Sequence, residues 1–152
     1  GFLANAEGYI PESDHYDTKQ LSAYSEIHRD LYLVPAEAGQ VVRMNNIFFD
    51  FGKSVLKEES FAELNRYANW MSTNPLVSIN VAGHTDNVGS HSDNMELSSA
   101  RAKAVLEYLV QKGVDARRIT SSGFGETSPV AANDSEDGRS MNRRVEFTII
   151  GK

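Results

Sequence analysis

From Val41 onward the apolar positions switch repeatedly between a two-residue period and a helical one. Val41 to Phe51, rich in β-branched and aromatic residues, reads as a strand that Gly52-Lys53-Ser54 ends. Phe61, Leu64, Ala68 and Met71 share one face of a helix expected from about Lys57 to Ser72, with Asn74-Pro75 as its stop. Val77, Ile79 and Val81 alternate with Ser78 and Asn80, which predicts a half-buried strand. Gly83 to Asp93 is a polar loop. Asn94 is placed to N-cap a second helix reaching about Lys112, and Gly113 ends it. A short strand follows at Ile119 to Gly123, then a polar loop, Glu126 to Ser140. In the last strand Val145, Phe147 and Ile149 alternate with Glu146 and Thr148. The order β-α-β-α-β-β predicts an α/β two-layer sandwich, with helices on one face of a mixed sheet. The second and third strands should run parallel through a right-handed crossover, and the last strand makes the sheet mixed.

The first 38 residues follow a different pattern. Ala4 to Tyr9 reads as one short strand and Glu12 to Gln20 as loop. Glu26 to Val34 reads as a strand carrying Ile27, Leu31 and Leu33 on one face, ended by Pro35. Such a segment cannot close a core alone. The expected division is therefore an arm, or the tail of an upstream β-domain, over 1–38 and one domain over 39–152.

Composition narrows the function. The 152 residues suffice for one good core, and 40% hydrophobic content is ordinary for a globular chain. No window approaches the ~18 consecutive apolar residues that a membrane span needs. The chain opens on Gly1 and not Met, as a mature fragment or excised piece would, so any leader or anchor lies outside it. The absence of cysteine excludes disulfides, zinc–thiolate sites and a thiol nucleophile within the chain. A net charge of −6, with no basic stripe, argues against nucleic acid. No cofactor is indicated.

One position breaks the helical pattern. With Leu97 at zero on a wheel of ~100° per residue, Arg101 falls at about 40°, between Tyr108 and Val105. A buried arginine must find acceptors, because it does not shed its proton. It either snorkels or holds a structural salt bridge, or it points to the mouth of a crevice and grips a carboxylate with two parallel hydrogen bonds. Asp86 lies just past the second strand, where sites form in open α/β sheets. Its surroundings, Thr85-Asp86-Asn87-Val88-Gly89, are also ordinary turn chemistry. Together, a crevice carboxylate and a misplaced arginine suggest the two halves of a receptor for a zwitterion.

The motifs Phe48-Phe49-Asp50-Phe51-Gly52-Lys53-Ser54, Gly83-His84-Thr85-Asp86-Asn87-Val88-Gly89, Leu97-Ser98 with Arg101-Ala102, Gly123-Phe124-Gly125-Glu126 and Asn142-Arg143-Arg144-Val145-Glu146 occur in that order. On these residues the chain from about Asn45 to Ile150 resembles the OmpA-like peptidoglycan-binding domain, found also in peptidoglycan-associated lipoproteins and flagellar stator proteins. The resemblance implies an OmpA-like fold, a periplasmic, outer-membrane-associated location, and non-catalytic binding of the meso-diaminopimelate stem peptide of peptidoglycan. It implies that Asp86 pairs with the stem's ammonium and Arg101 with its carboxylate. Asp50, Phe51 and Gly52 would line the pocket largely through backbone groups, and Thr85, Asn94 and Leu97 would shape its edge. Asn94 is equally readable as a cap and Leu97 as core. Arg143 and Arg144 fit the motif as structural pairing partners, and one of Phe48 and Phe49 should be plain core. The implied protein partners are outer-membrane or secretion-complex components. The wording of Phe48 to Ser54 and Gly138 to Ile150 is similar to the Bacteroidetes version of the family. The first 38 residues resemble the end of a carboxypeptidase-regulatory-like β-sandwich, which precedes this domain in some envelope proteins, one a lipoprotein of type IX secretion.

Two other readings remain at this level. His84, Asp86, His91 and Asp93 offer imidazole and carboxylate ligands for a metal-dependent hydrolase. Alternatively, the N-terminal arm and the loop Asn133 to Met141 could make this a protein–protein scaffold.

Overall fold

Residues 2–14, 26, 28, 30–50 and 52–152 are described by the computed structural model. The chain divides into two units, Gly1–Ala36 and Glu37–Lys152.

Among its described residues the first unit holds two small antiparallel ladders. β1 (Phe2–Ala4) pairs with β3 (Glu12–Asp14), and β2 (Tyr9–Ile10) pairs with β4 (Val34–Pro35). The expected strand from Ala4 to Tyr9 is thus two strands, parted by a turn in which Gly8 takes φ +81°. Glu12 to Asp14 is strand and not loop, and 15–20 lies outside the described residues. Of the expected strand Glu26 to Val34, the described residues are extended into a ladder only at Val34. The partner there, Tyr9–Ile10, is two residues long, so among the described residues this ladder covers only Val34 and Pro35. Ile27 and Arg29 are outside the described residues.

The second unit is a four-stranded mixed sheet of β5 (Val41–Arg43), β6 (Ser78–Gly83), β7 (Ile119–Gly123) and β8 (Val145–Gly151), in the order β5-β8-β6-β7. β6 and β7 run parallel, and β8 is antiparallel to both β5 and β6. Val42, Phe147 and Val81 stand opposite one another across three strands and are all buried. The helices α1 (Phe61–Thr73) and α2 (His91–Gln111) cover this face. Tyr67 meets the Phe147 ring edge-on at 5.3 Å, and Leu64, Ala68, Trp70 and Met71 are buried beside it on α1. Phe61 stacks on Tyr108 of α2 at 4.9 Å, which joins the two helices. The opposite face is polar, with Asn80 donating to Thr120 and Ser122.

Four expectations for this unit need correction. The first strand does not reach Phe51. It leaves the ladder after Arg43, because Asn46 adopts a left-handed φ of +58°, which asparagine tolerates better than most residues. The chain then arches as a loop, fastened where the Ser60 hydroxyl accepts the Phe48 N–H at 2.8 Å. Neither Phe48, which is exposed, nor Phe49, which is half-buried, is plain core.

The second helix starts earlier than expected. Ser90, not Asn94, is its N-cap, accepting the Asp93 N–H at 3.1 Å, so residues 91–93 are helix and not loop. A third helix, α3 (Glu136–Asn142), begins inside the expected polar loop and runs two residues past its end. Ser135 caps it, and a Cβ on Gly138 would stand 1.8 Å from the Ala132 carbonyl oxygen.

Two glycines set how α2 meets the sheet. Gly83 and Gly123 are paired in register at the ends of β6 and β7. A Cβ on Gly83 would lie 2.2 Å from the Ser98 carbonyl oxygen, and one on Gly123 would lie 2.1 Å from the Ser99 hydroxyl. The backbone of α2 therefore rests directly on the strand ends. Ser98 is fully buried there, its hydroxyl accepting the Gly125 N–H at 2.9 Å.

Candidate functional site

The strand-end turn is tied down by backbone bonds. The His84 N–H donates to the Arg144 carbonyl, Thr85 N–H to Gly125 and Phe124 N–H to Gly83. Asp86 follows at once and is buried. Its Oδ1 accepts the Val88 N–H at 3.0 Å, the local turn bond that its sequence suggested. Its Oδ2 takes Arg143 Nη1 at 2.6 Å. Its carbonyl accepts Asn94 Nδ2 at 3.4 Å, so Asn94 is neither cap nor free edge but a buried tether one turn into α2.

Arg101 lies on the same helix and is 9% exposed. Nε donates to the Lys53 carbonyl at 3.0 Å and Nη2 to the Asp50 carbonyl at 3.5 Å. The guanidinium carbon lies 5.0 Å from the centre of the Phe49 ring. Among the described residues, no carboxylate reaches Arg101 within salt-bridge distance. Burial pushes its pKa below the ordinary arginine value, the charge of Asp86 opposes that, and Arg143 adds to it. Arg143 moves the other way, raised by its hydrogen bonds to Asp86 and then Glu136. The three charges thus form one coupled group in which only Asp86 and Arg143 are directly joined.

The remaining expected site residues fall around this group. Thr85 is buried, and its hydroxyl has no hydrogen-bond partner. Leu97 is half-buried, one turn before Arg101. Asp50 contributes its carbonyl to Arg101 while its exposed carboxylate pairs with Lys57 at 3.1 Å, which holds that carboxyl below the usual range. Gly52 is exposed with φ +65°, and Phe51 lies outside the described residues.

Beside Arg101 opens a cleft of about 280 Å³. It lies between the 43–49 segment, His84 and the start of β8, and of the expected site residues only Arg101 lines it. Arg43, Arg143 and Arg144 line it too. The sequence reading missed this convergence, although the Asn142-Arg143-Arg144 run was a signal for it. Asn142, fully buried, explains how the run is placed. Its Oδ1 accepts the Val130 and Ala131 N–H groups and its Nδ2 donates to Ala131 and Asn133.

The four proposed metal ligands do not converge. His84 stacks on Phe124 and faces Glu146, Asp86 is bound to Arg143, His91 pairs with Glu126 at 2.8 Å, and Asp93 is exposed in the first turn of α2. Among the described residues no three His, Cys, Asp or Glu side chains gather to hold a metal.

The sequence pattern of the OmpA family matches residues 48–143, the stretch from the arch to the arginine run. This chain belongs to the OmpA family. The OmpA-family domain is 44% identical over 115 residues to outer membrane porin F of Pseudomonas fluorescens, covering 75% of this chain and 35% of the porin. It therefore spans about a third of that relative's length. Among solved structures it is similar to the periplasmic domain of Helicobacter pylori MotB, with a TM-score of 0.65, 28% identity and 74% of each chain covered. It is also similar to the cell wall anchor of the T6SS from Pseudomonas aeruginosa, with a TM-score of 0.62, 32% identity, and 74% of this chain and 80% of that one covered. The expected mixed α/β architecture agrees with these structures. The domain is periplasmic and associated with the outer membrane, and no helix among the described residues is long and apolar enough to cross a membrane.

Proposed function

We propose that this domain is a non-catalytic receptor for the peptide stem of peptidoglycan, anchoring an outer-membrane or periplasmic assembly to the cell wall. Asp86 receives the ammonium of a diaminopimelate head group and Arg101 its carboxylate. The observation that carries this reading is Arg101 itself: a buried guanidinium with no carboxylate within reach among the described residues, electrostatically coupled to Asp86. A cation in that state is costly, and an anionic ligand relieves it. The carbonyls of Asp50 and Lys53 fix the guanidinium plane in advance, so little ordering is left for the ligand to impose. The family and the likeness to a solved cell wall anchor support the same conclusion. Residues 39–152 are then the wall-binding domain, and residues 1–38 an arm or the tail of an upstream β-sandwich. Its protein partners are outer-membrane or secretion-complex components. Affinity for a single stem is modest and is multiplied on the polymer by avidity.

Calorimetry with a diaminopimelate stem peptide against its lysine analogue tests the site. The analogue lacks the second carboxylate and should bind at least about tenfold more weakly, the worth of one charge-assisted bond. Equal affinities would remove Arg101 from the reading. Asp86→Ala and Arg101→Ala should each lose pull-down on purified sacculi with an unchanged circular dichroism spectrum.

A further inference from the structure

We propose that the Arg43 and His84 side of the arginine-lined cleft is a second binding site, adjoining the stem receptor that Arg101 serves, for a small group bearing an oxyanion, carboxylate or phosphate. Four arginines, Arg43, Arg101, Arg143 and Arg144, line one cavity of about 280 Å³. Two of them are neutralised by the protein. Arg144 is held by Glu146 at 2.6 Å, and Arg143 by Asp86 and Glu136 at 2.6 and 2.5 Å. For Arg43 and Arg101 no carboxylate among the described residues lies within salt-bridge distance. Glu146 stands opposite Arg43 in the β5–β8 ladder, but its carboxylate is turned to Arg144 and His84. The cleft thus carries positive charge that the fold does not cancel.

A second observation points the same way. His84 lines the cleft, is 4% exposed, and has no hydrogen-bond partner at either ring nitrogen. Its Nε2 comes only to 3.5 Å from Glu146, and its ring is stacked on Phe124. A neutral imidazole always carries one N–H, and leaving that donor buried without an acceptor is unfavourable. An oxyanion in the cleft supplies the missing acceptor to His84 and a counter-charge to Arg43. Asn46 and Ser140 add polar groups to the lining. The volume is several times the ~30 Å³ share of one water, ample for a phosphate or an acylated amino acid. Guanidinium forks match the flat edge of a carboxylate or phosphate better than they match a sugar hydroxyl.

The test titrates inorganic phosphate and, separately, N-acetylglutamate into the 152-residue chain, following the His84 ring and arginine Nε–H signals by ¹⁵N NMR. Saturable shifts at His84 and Arg43 are expected, and the tighter probe identifies the source of the oxyanion. Arg43→Gln, at an exposed strand position, should weaken binding about tenfold without lowering the melting temperature. Asp86→Asn, which frees the charge of Arg143 beside the cleft, should keep or tighten oxyanion binding while losing sacculus binding, which separates this site from the stem receptor. Shifts that do not saturate, equal affinity in Arg43→Gln, or loss of oxyanion binding in Asp86→Asn would each overturn the proposal.

Discussion

Asp86 and Arg101 carry opposite charges and are held in opposite ways. The carboxylate is fully occupied by the protein: one oxygen takes the Val88 N–H and the other takes Arg143. The guanidinium is braced by two backbone carbonyls and an aromatic face, and its charge has no carboxylate against it among the described residues. Asp86 therefore contributes to the stability of the free protein, whereas Arg101 is kept at a cost to it. In the proposed receptor a ligand meets an open cation on one side. On the other it meets an anion that it must share with Arg143. Recognition of the carboxylate end should therefore dominate affinity, and the ammonium end should supply selectivity.

Both halves rest on the seat of α2, so the largest effect comes from disturbing that seat. Gly83→Ala drives a methyl into the Ser98 carbonyl, 2.2 Å away, and only backbone can yield. It should cost about 3 kcal/mol or more, visible as a large fall in melting temperature or as insoluble protein. Asp86→Asn keeps the acceptor for Val88 but leaves Arg143 with only exposed Glu136. It should destabilise by about 1–2 kcal/mol in urea titration. Arg101→Met should lower the unfolding free energy from urea titration by less than about 0.5 kcal/mol, or raise it, because it removes an uncompensated buried charge, yet it should abolish sacculus binding. A loss of stability equal to that of Asp86→Asn would erase the contrast between the two halves.

The smallest effect is on pH dependence. Burial, aided by Arg144 and opposed by Glu146, holds the His84 pKa below its ordinary value of 6.5. The unfolded chain then binds this proton more readily than the folded one. His84 thus leaves stability unchanged above pH 6.5 and subtracts from it as pH falls below that value. His84→Gln should flatten that part of the acid limb, read by thermal denaturation between about pH 7 and 5.

Much of this architecture was legible in the sequence, because it depends on periodicity. The buried faces of α1, β6 and β8 follow their apolar alternation, and Arg101 stood out because it broke one. What escaped depends on partners distant in the chain. The burial of Ser98 depends on two glycines from neighbouring strands that draw its backbone onto the sheet. The α3 helix is seven residues long with glycine in its first turn, too short and too permissive a stretch to show a helical period. The Ser90 cap was masked by the run of polar residues around it. The strand expected through Phe51 failed at Asn46, where one left-handed residue outweighed a run of good strand formers. The arginine cleft needed β5, β6, α2 and the α3–β8 junction together, and only tertiary structure assembles those.

The bare strand ends at Gly83 and Gly123 have one more consequence. Because helix and sheet touch there through main chain, the gap between the two charges is gauged by peptide geometry and not by the bulk of any side chain. Nearby substitutions can retune charge or hydrophobicity without recalibrating that gap. A methyl group at either glycine would reset it in a single step.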